Sequence, residues 1–385
     1  MPIGGVVLAV LAFILQTPKS KNDDTIKQQL AKLDPVGTAV FLPGIVCLLL
    51  ALQWGGTTYP WSNTRIIALF VLGGVLINFF LYIQFRMGDG ATVPIRIITQ
   101  RSVAAGVIFS FTVPGSMFIL IYYLPIWFQA IKGESAVKSG VNTIPLVIAL
   151  VIASIAAGQL TGRTGYYVPQ LIASSIIMSI GAGFLTTFKV DAGHQKFIGY
   201  QVLYGLGLGL GLQQASMAAQ TCLQKKDVTI GVALMFFFQG LGGAIWLSVG
   251  EVVFTNSLVK NLKGIAGVTP ELIVHTGATD LRTIVPPQYL DAVLVAYNRA
   301  IMDTLYIAVG TAALSIIAGL TMEWRNVKVM KQGGPSGPKK AEESKDSGIV
   351  AALAEKTTDS EPISAELIDA ETEERSAKTS VGPQS

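Results

Sequence analysis

The chain has 385 residues, of which 51% are hydrophobic and only 14% are charged. Soluble globular domains carry roughly 25% charged residues, so this composition is typical of a membrane protein. The formal net charge is +4, and the Lys and Arg residues lie mainly in loops between apolar segments. They form no basic stripe with interleaved aromatic residues, which argues against a nucleic-acid partner.

Nine apolar segments precede residue 324, and eight of them have 17 or more residues. A helix of roughly 20 apolar residues crosses a bilayer, where only helices or closed barrels satisfy every backbone hydrogen bond. The segments are too long for barrel strands, so we expect an all-α, polytopic transmembrane bundle with eight full spans. In chain order these are Val36 to Leu52, Ile66 to Ile83, Val103 to Phe128, Val141 to Leu160, Val168 to Phe188, Ile198 to Cys222, Ile230 to Phe254 and Ala300 to Met322.

The first apolar segment, Ile3 to Leu15, is shorter than a full span. Lys19 and Lys21 follow it rather than precede it, and no small-residue cleavage site comes after it, so we predict no secretory signal. A truncated helix fits better, with a short signal anchor as the alternative. In the following loop, apolar residues at helical spacing within 23–33 predict an amphipathic helix on the membrane surface.

The distribution of Lys and Arg predicts the orientation of the bundle. It places the loop Gln16 to Pro35 and the chain beyond the last span in the cytoplasm. The long outer loop Thr255 to Arg299 contains Pro286 and Pro287 followed by an apolar helical face, so we expect it to be structured and to pack over the outer end. Beyond the last span, few large apolar residues occur, which predicts a disordered tail.

Residues that could carry metal or covalent chemistry are scarce. Cys47 and Cys222 lie in apolar spans without a spaced partner, and His194 and His275 both fall in loops. No nucleophile elbow or nucleotide loop is recognisable. We therefore predict no metal, no cofactor and no enzymatic activity.

The sixth long span combines glycines with a stripe of polar side chains. Gly205 and Gly209 are four residues apart, a spacing that allows close helix packing in lipid. An ideal helix would bring Gln213, Ser216 and Gln220 close to one face. Amides this deep in a span should face protein or a watery cavity, so the stripe predicts either a substrate pathway or polar contacts between helices.

The next span carries the acidic residue that lies deepest in an apolar run. Glu251 shares a helical face with Gly240 and Ala244, which we expect to pack against a neighbouring helix. An intramembrane carboxyl is a candidate proton carrier. Because the predicted span ends at Phe254, a solvated carboxylate at the outer mouth is the alternative. Asp303, near the start of the last predicted span, is expected to cap that helix.

A short inner turn between two spans has the sequence Gly158-Gln-Leu-Thr-Gly162-Arg163-Thr-Gly165. Glycines permit a tight backbone path, and an Arg guanidinium can bind the free carbonyls at the end of a neighbouring helix. The turn is therefore either a cytoplasmic gate loop, with Gly162, Arg163 and Gly165 as its key residues, or an ordinary basic turn.

This turn resembles the Gly-x-x-x-Asp-Arg-x-Gly loop of the major facilitator superfamily, with Gly162 in the place of the acid. Other stretches resemble fungal drug:proton antiporters of the fourteen-helix type within that superfamily, and together they extend from residue 1 to about residue 323. They are Pro2-Ile-Gly-Gly, Gln53-Trp54-Gly55-Gly56, Tyr122-Tyr123-Leu-Pro125-Ile-Trp-Phe-Gln129, Gly199-Tyr-Gln201-Val-Leu-Tyr204-Gly205 and Phe238-Gln239-Gly-Leu-Gly242-Gly243-Ala244.

The resemblance implies how the chain is organised. Residues 1–35 would be a truncated span and a cytoplasmic linker, 36–83 two linker helices, 84–323 the C-terminal six-helix half of a transporter, and 324–385 the tail. About five helices of the family, including its antiporter signature, would be missing in front of residue 1.

The resemblance also implies a function. Relatives of this type export small, mostly apolar organic molecules in exchange for protons, and we expect Gln239 to join the substrate pathway. We expect the chain to lie in the plasma membrane and to be inactive alone, because alternating access needs two halves. The alternative is a non-transporting membrane module that pairs with itself or with another transporter half, with the glycine-rich helix as the interface.

Overall fold

The computed structural model describes residues 10, 34–56, 58–88, 91–263, 265, 269, 273–274 and 276–328, except for the side chain of His194. The first apolar segment apart from residue 10, the amphipathic helix within 23–33 and the tail beyond Lys328 lie outside these residues. The described part is helical and contains no β-strand. The expected all-α, polytopic bundle is therefore confirmed.

Twelve helices follow one another in the described residues. They are α1 (Pro35–Trp54), α2 (Thr64–Met87), α3 (Ile95–Ile98), α4 (Arg101–Ala130), α5 (Ala136–Asn142), α6 (Ile144–Thr164), α7 (Val168–Leu185), α8 (His194–Gly211), α9 (Gln214–Cys222), α10 (Val228–Leu262), α11 (Leu281–Ile284) and α12 (Pro287–Thr321). Seven helical stretches are long and apolar enough to cross a membrane: α1, α2, α4, α5 with α6, α7, α10 and α12.

The sixth predicted span, Ile198 to Cys222, is not one helix. The chain breaks at Leu212 and Gln213, and α8 and α9 lie on either side of the break. Four glycines at alternate positions precede it, and each glycine in a helix costs about 1 kcal/mol relative to alanine. Hydropathy indicates that this segment is apolar, but it does not indicate that the segment has a low helix propensity.

The last two long helices extend beyond the predicted spans. α10 continues from Phe254 to Leu262, and α12 begins at Pro287 rather than near Ala300. Their additional turns carry buried apolar residues, among them Leu258 on α10. These turns therefore bury one apolar face, as amphipathic helices do. The connection predicted as Thr255 to Arg299 therefore shrinks to residues 263–286.

The helix α4 forms the centre of the bundle. Its buried side chains include Phe109, Tyr123 and Trp127, and it packs against α9, α10 and α12. The helix α8 packs between α6 and α7, and α12 packs on α7 as well as α10. The hairpin α1–α2 is largely exposed and meets α10 through the rings of Phe41 and Phe237, whose centroids are 5.3 Å apart.

Candidate functional site

A small cleft lies beside the break between α8 and α9. Its cavity volume is about 10 Å³, which is room for about one water molecule. Side chains of α4, α10 and the broken span form its walls; they are Phe109, Ser110, Val113, Pro114, Leu212, Ser216 and Gln239. The lining therefore combines apolar surface with two hydroxyls and one amide, and none of these seven side chains is charged. A mostly apolar lining with a few polar groups is typical of sites that bind small molecules.

The structure brings two of the four predicted pathway residues together in this cleft. Ser216 and Gln239 both line it, although they come from different helices. Gln213 and Gln220 are exposed and are not among its lining residues. Of the three side chains predicted to form a stripe, Gln213, Ser216 and Gln220, Ser216 alone is among the lining residues of this cleft in the described structure. The neighbouring Gln214 is buried instead, and its Oε1 accepts a hydrogen bond from Thr161.

Gly205 and Gly209 place α8 directly against α6. A Cβ atom on Gly205 would overlap the carbonyl oxygen of Leu146, and one on Gly209 would overlap that of Leu150. No side chain fits at either position without moving a backbone. The same glycine face was a candidate surface for a homodimer, but α6 of the same chain covers it.

The residues of α10 that pack closely against α4 are not the predicted ones. A Cβ on Gly240 would meet no atom within 4 Å in the described structure, and Ala244 is half-buried. The close approach to α4 occurs instead at Gly242 and Gly243, which lie against Phe111 and Phe118. The prediction for Gly240 is thus wrong, because the spacing alone did not indicate which face of α10 meets α4.

Glu251 lies within α10, which continues past Phe254 to Leu262. Its side chain is half-buried. The next residue towards the start of α10, Gly250, lies near both Tyr123 and Thr304. No ion pair joins Glu251 to another residue in the described part of the chain. Because α10 is longer than the roughly 20 residues that span a bilayer, its length leaves both interpretations of Glu251, proton carrier and solvated outer mouth, as predictions.

Asp303 does not cap α12, because the helix begins at Pro287. The carboxylate lies in the middle of the helix and accepts a hydrogen bond from Ser257 of α10. The amide of Asn261 donates to the same hydroxyl over 3.1 Å. This contact was not predicted from the sequence, because Ser257 lies outside the predicted spans and Asp303 lies at the edge of one.

The inner turn between α6 and α7 needs one of its glycines. Gly165 has φ +81°, the left-handed conformation that side chains disfavour, and it ends α6. Gly162 lies within α6, where a Cβ would meet no atom within 4 Å in the described structure. The side chain of Arg163 is exposed and makes no hydrogen bond or ion pair with the described residues, whereas its backbone carbonyl accepts a hydrogen bond from Nζ of Lys328. The expected carbonyl contact is made by Arg101, whose Nε donates to the oxygen of Thr321.

A buried carboxylate joins α1 to α2 at their predicted cytoplasmic ends. Asp34 is 1% exposed and accepts hydrogen bonds from the Gly37 amide at 2.8 Å, Gln84 at 2.6 Å and Thr92 at 2.9 Å. Desolvation raises the pKa of this carboxyl, but the hydrogen bonds together outweigh it and leave the pKa lowered. This cluster was not predicted from the sequence, because its members are up to 58 residues apart.

A second ionic contact joins α3 to the start of α10. Both terminal nitrogens of Arg96 bind the carboxylate of Asp227, at 2.5 and 2.8 Å. These hydrogen bonds lower the pKa of Asp227 against the smaller opposing effect of desolvation. Bidentate pairing fixes the orientation of both side chains, so this contact positions the first turn of α10 relative to α3.

The fungal relatives identify the family. The MFS acetylaranotin efflux transporter ataA of Aspergillus terreus is 46% identical over 324 residues, which are 84% of this chain and 72% of the relative. This chain belongs to the major facilitator superfamily. The MFS-type efflux pump MFS1 of Trichophyton rubrum is 52% identical over 334 residues, 86% of this chain. No protein-family model matches the chain.

This major facilitator chain spans 62% of the length of the Trichophyton rubrum pump. It is a multi-pass membrane protein whose apolar helices lie in a lipid bilayer. A bacterial homologue of the human lysosomal transporter Spinster, solved in an inward-facing and unoccupied conformation, aligns with 76% of this chain and 66% of its own. That alignment has a TM-score of 0.46 and 13% sequence identity.

Proposed function

We propose that this chain is the part of a fungal efflux facilitator that contains the linker helices and the second six-helix half. In this proposal residues 36–83 are the linker helices and residues 84–323 are the transporter half. The complete pump would be of the fourteen-helix type, would lie in the plasma membrane and would export small organic molecules in exchange for protons. The Trichophyton rubrum and Aspergillus terreus relatives are both named as efflux proteins, which supports the direction of transport.

The observation that carries the proposal is the cleft at the broken span. Interrupted helices commonly form substrate sites in transporters, because their free backbone groups and adjacent side chains line a cavity within the membrane. The cleft here lies at such an interruption, and Ser216 and Gln239 provide its hydroxyl and amide beside apolar walls. An uncharged lining favours a neutral, mostly apolar substrate, since a buried charge without a partner is costly.

The chain supplies one wall of such a cavity. Alternating access requires a second wall that moves against the first, so we expect no export by residues 1–385 alone. Glu251 is our candidate for the coupling carboxyl. Its half-buried position within α10, next to Gly250, which packs near Tyr123 of α4, supports this role because an intramembrane carboxyl is a candidate proton carrier.

The test is complementation in yeast that lacks its own drug pumps. This chain is expressed alone or together with the part of the Trichophyton rubrum pump that lies outside the matched region, and efflux of the neutral dye Nile red is followed. We expect efflux only from the pair, provided that co-purification shows that the two parts assemble. Efflux by the chain alone would contradict the need for a second wall, and an assembled but inactive pair would favour the non-transporting module.

Variants of the cleft sharpen this experiment. Gln239→Ala and Ser216→Ala should each lower the rate of Nile red efflux by the pair, because they remove polar groups from the cleft. Gln220→Ala is the matched control, since Gln220 is exposed and does not line the cleft. Equal rates for all three variants would show that the cleft is not part of the pathway.

A further inference from the structure

The indole of Trp246 on α10 lies against a kink in α4. Pro114 interrupts the hydrogen bonds of α4, since it has no N–H to bind the carbonyl of Ser110. A Cβ atom on the next residue, Gly115, would lie only 2.3 Å from Cδ1 of Trp246. Any side chain at Gly115 would displace the indole, so Trp246 packs on the bare backbone of α4.

The indole N–H of Trp246 is a buried donor. It has no hydrogen-bond partner among the residues that the structure describes. The N–H of Trp127, by contrast, donates to Oδ1 of Asn298 over 2.7 Å. A buried indole N–H usually has a partner, because an unsatisfied donor destabilises the fold. The arrangement of Trp246 therefore needs a functional explanation.

This unsatisfied donor borders the cleft at the broken span. Nε1 is bonded to Cδ1, the indole atom that comes closest to a Cβ on Gly115, so the N–H lies at the kink of α4. Pro114, the residue before Gly115, lines the cleft. Trp246 also follows the lining residue Gln239 by seven positions, so the two side chains share nearly one face of α10, about 10 Å apart along its axis.

A ligand of the cleft would have to separate α10 from α4. The cleft has room for about one water molecule, so an organic molecule needs a wider space. Separation at the kink would move the indole away from Gly115 and open the N–H to the cleft. The Gln239 amide and the Ser216 hydroxyl can each donate or accept, whereas an indole N–H can only donate. A ligand that satisfies Trp246 must therefore offer an acceptor.

We propose that Trp246 determines substrate specificity, with its indole N–H donating a hydrogen bond to a carbonyl or ether oxygen of a neutral substrate. Apolar molecules with such an oxygen are then preferred over hydrocarbons of the same shape. The inference rests on the proposed function, because it takes the cleft as the substrate site.

Two probes of matched shape test this preference. Fluorenone and fluorene share the same fused rings, but only fluorenone has a carbonyl oxygen. Both are titrated into the full chain in lipid nanodiscs, and partitioning into protein-free nanodiscs is subtracted. Trp246→Phe should lower the ratio of fluorenone to fluorene affinity about 2–10-fold, the effect of one hydrogen bond. Trp324→Phe is the matched control and should leave the ratio unchanged, because Trp324 is exposed beyond the end of α12.

The indole N–H proton signals report the bond directly, since a donating N–H resonates at lower field. The chain has five tryptophans, and the Trp246 signal is the one that Trp246→Phe lacks. If that variant does not fold, the signal is assigned by elimination from Trp→Phe variants at positions 54, 61, 127 and 324. Fluorenone should move the Trp246 signal to lower field and leave that of Trp127 in place, whereas fluorene should move neither in this direction.

Three results would overturn the proposal. They are a Trp246 signal that fluorenone does not move or that fluorene moves equally, a low-field Trp246 signal before any probe is added, and an unchanged affinity ratio in Trp246→Phe that circular dichroism shows to be folded. The second result would mean that water already satisfies the N–H. None of these measurements requires export. If the effects at Trp246 are found but the assembled pair does not export Nile red, the proposed function alone is contradicted.

Discussion

Replacing Gly209 by alanine tests whether α8 and α6 pack through bare backbone. A methyl group there would overlap the carbonyl oxygen of Leu150 and lie 2.7 Å from the Cβ of Ala153. Gly199 is the matched control, because it lies on the same helix and a Cβ there would meet nothing within 4 Å in the described structure.

Two effects determine the size of the change. Alanine stabilises a helix by about 0.8–1 kcal/mol relative to glycine, and both variants gain this amount. Only Gly209→Ala adds a clash, and overpacking costs about 1–3 kcal/mol. Gly209→Ala should therefore be less stable than Gly199→Ala by about 1–3 kcal/mol.

The assay is reversible unfolding of the purified chain in mixed micelles with increasing dodecyl sulfate, followed by circular dichroism. The comparison between the two variants cancels the intrinsic preference for alanine, so the remaining difference reports the contact with α6. If Gly209→Ala were as stable as Gly199→Ala, the close approach of the two backbones would be refuted.

Two further predictions concern the predicted cytoplasmic end. Asp227 has a lowered pKa in the folded chain, so its pairing with Arg96 stabilises the fold above the ordinary value of 3.8 and is lost as the pH falls through the lowered pKa. Thermal unfolding should therefore show Arg96→Gln to be less stable than wild type at neutral pH but equally stable in strong acid. A difference in stability between the two proteins that did not change with pH would contradict this. Gly165→Ala should lower the free energy of unfolding by about 1–2 kcal/mol, because Gly165 has a left-handed backbone conformation. Gly162→Ala, within α6, should not lower it. Unfolding in dodecyl sulfate compares the two variants, and equal losses of stability would count against the turn geometry.

The fold class followed from the sequence because the length and hydropathy of a span are local properties. Seven of the long apolar segments are single membrane-length helical stretches in the structure. The break at Gln213 could not be predicted, because a glycine-rich segment remains apolar whether or not its helix is continuous. The ends of α10 and α12 were misplaced because their outer turns bury apolar residues against each other and also carry charges such as Lys260 and Arg299.

The candidate site was only partly predictable for a related reason. Ser216 and Gln239 were recognised as polar residues within apolar spans, which is a local signal. That they share one cleft depends on the packing of α9 against α4 and α10. Asp303 and Asp34 acquire their significance from partners far away in the chain, and Arg101 rather than Arg163 reaches a helix end for the same reason.

The most direct test of the account is to measure proton and substrate fluxes together. The assembled pair is reconstituted in liposomes that enclose a pH-sensitive dye, and Nile red is added without an imposed pH gradient. Substrate movement should drive protons in the opposite direction, and Glu251→Gln should abolish this coupled pH change. Substrate transport with no accompanying proton movement would contradict the central claim that the chain is part of a proton-coupled exporter.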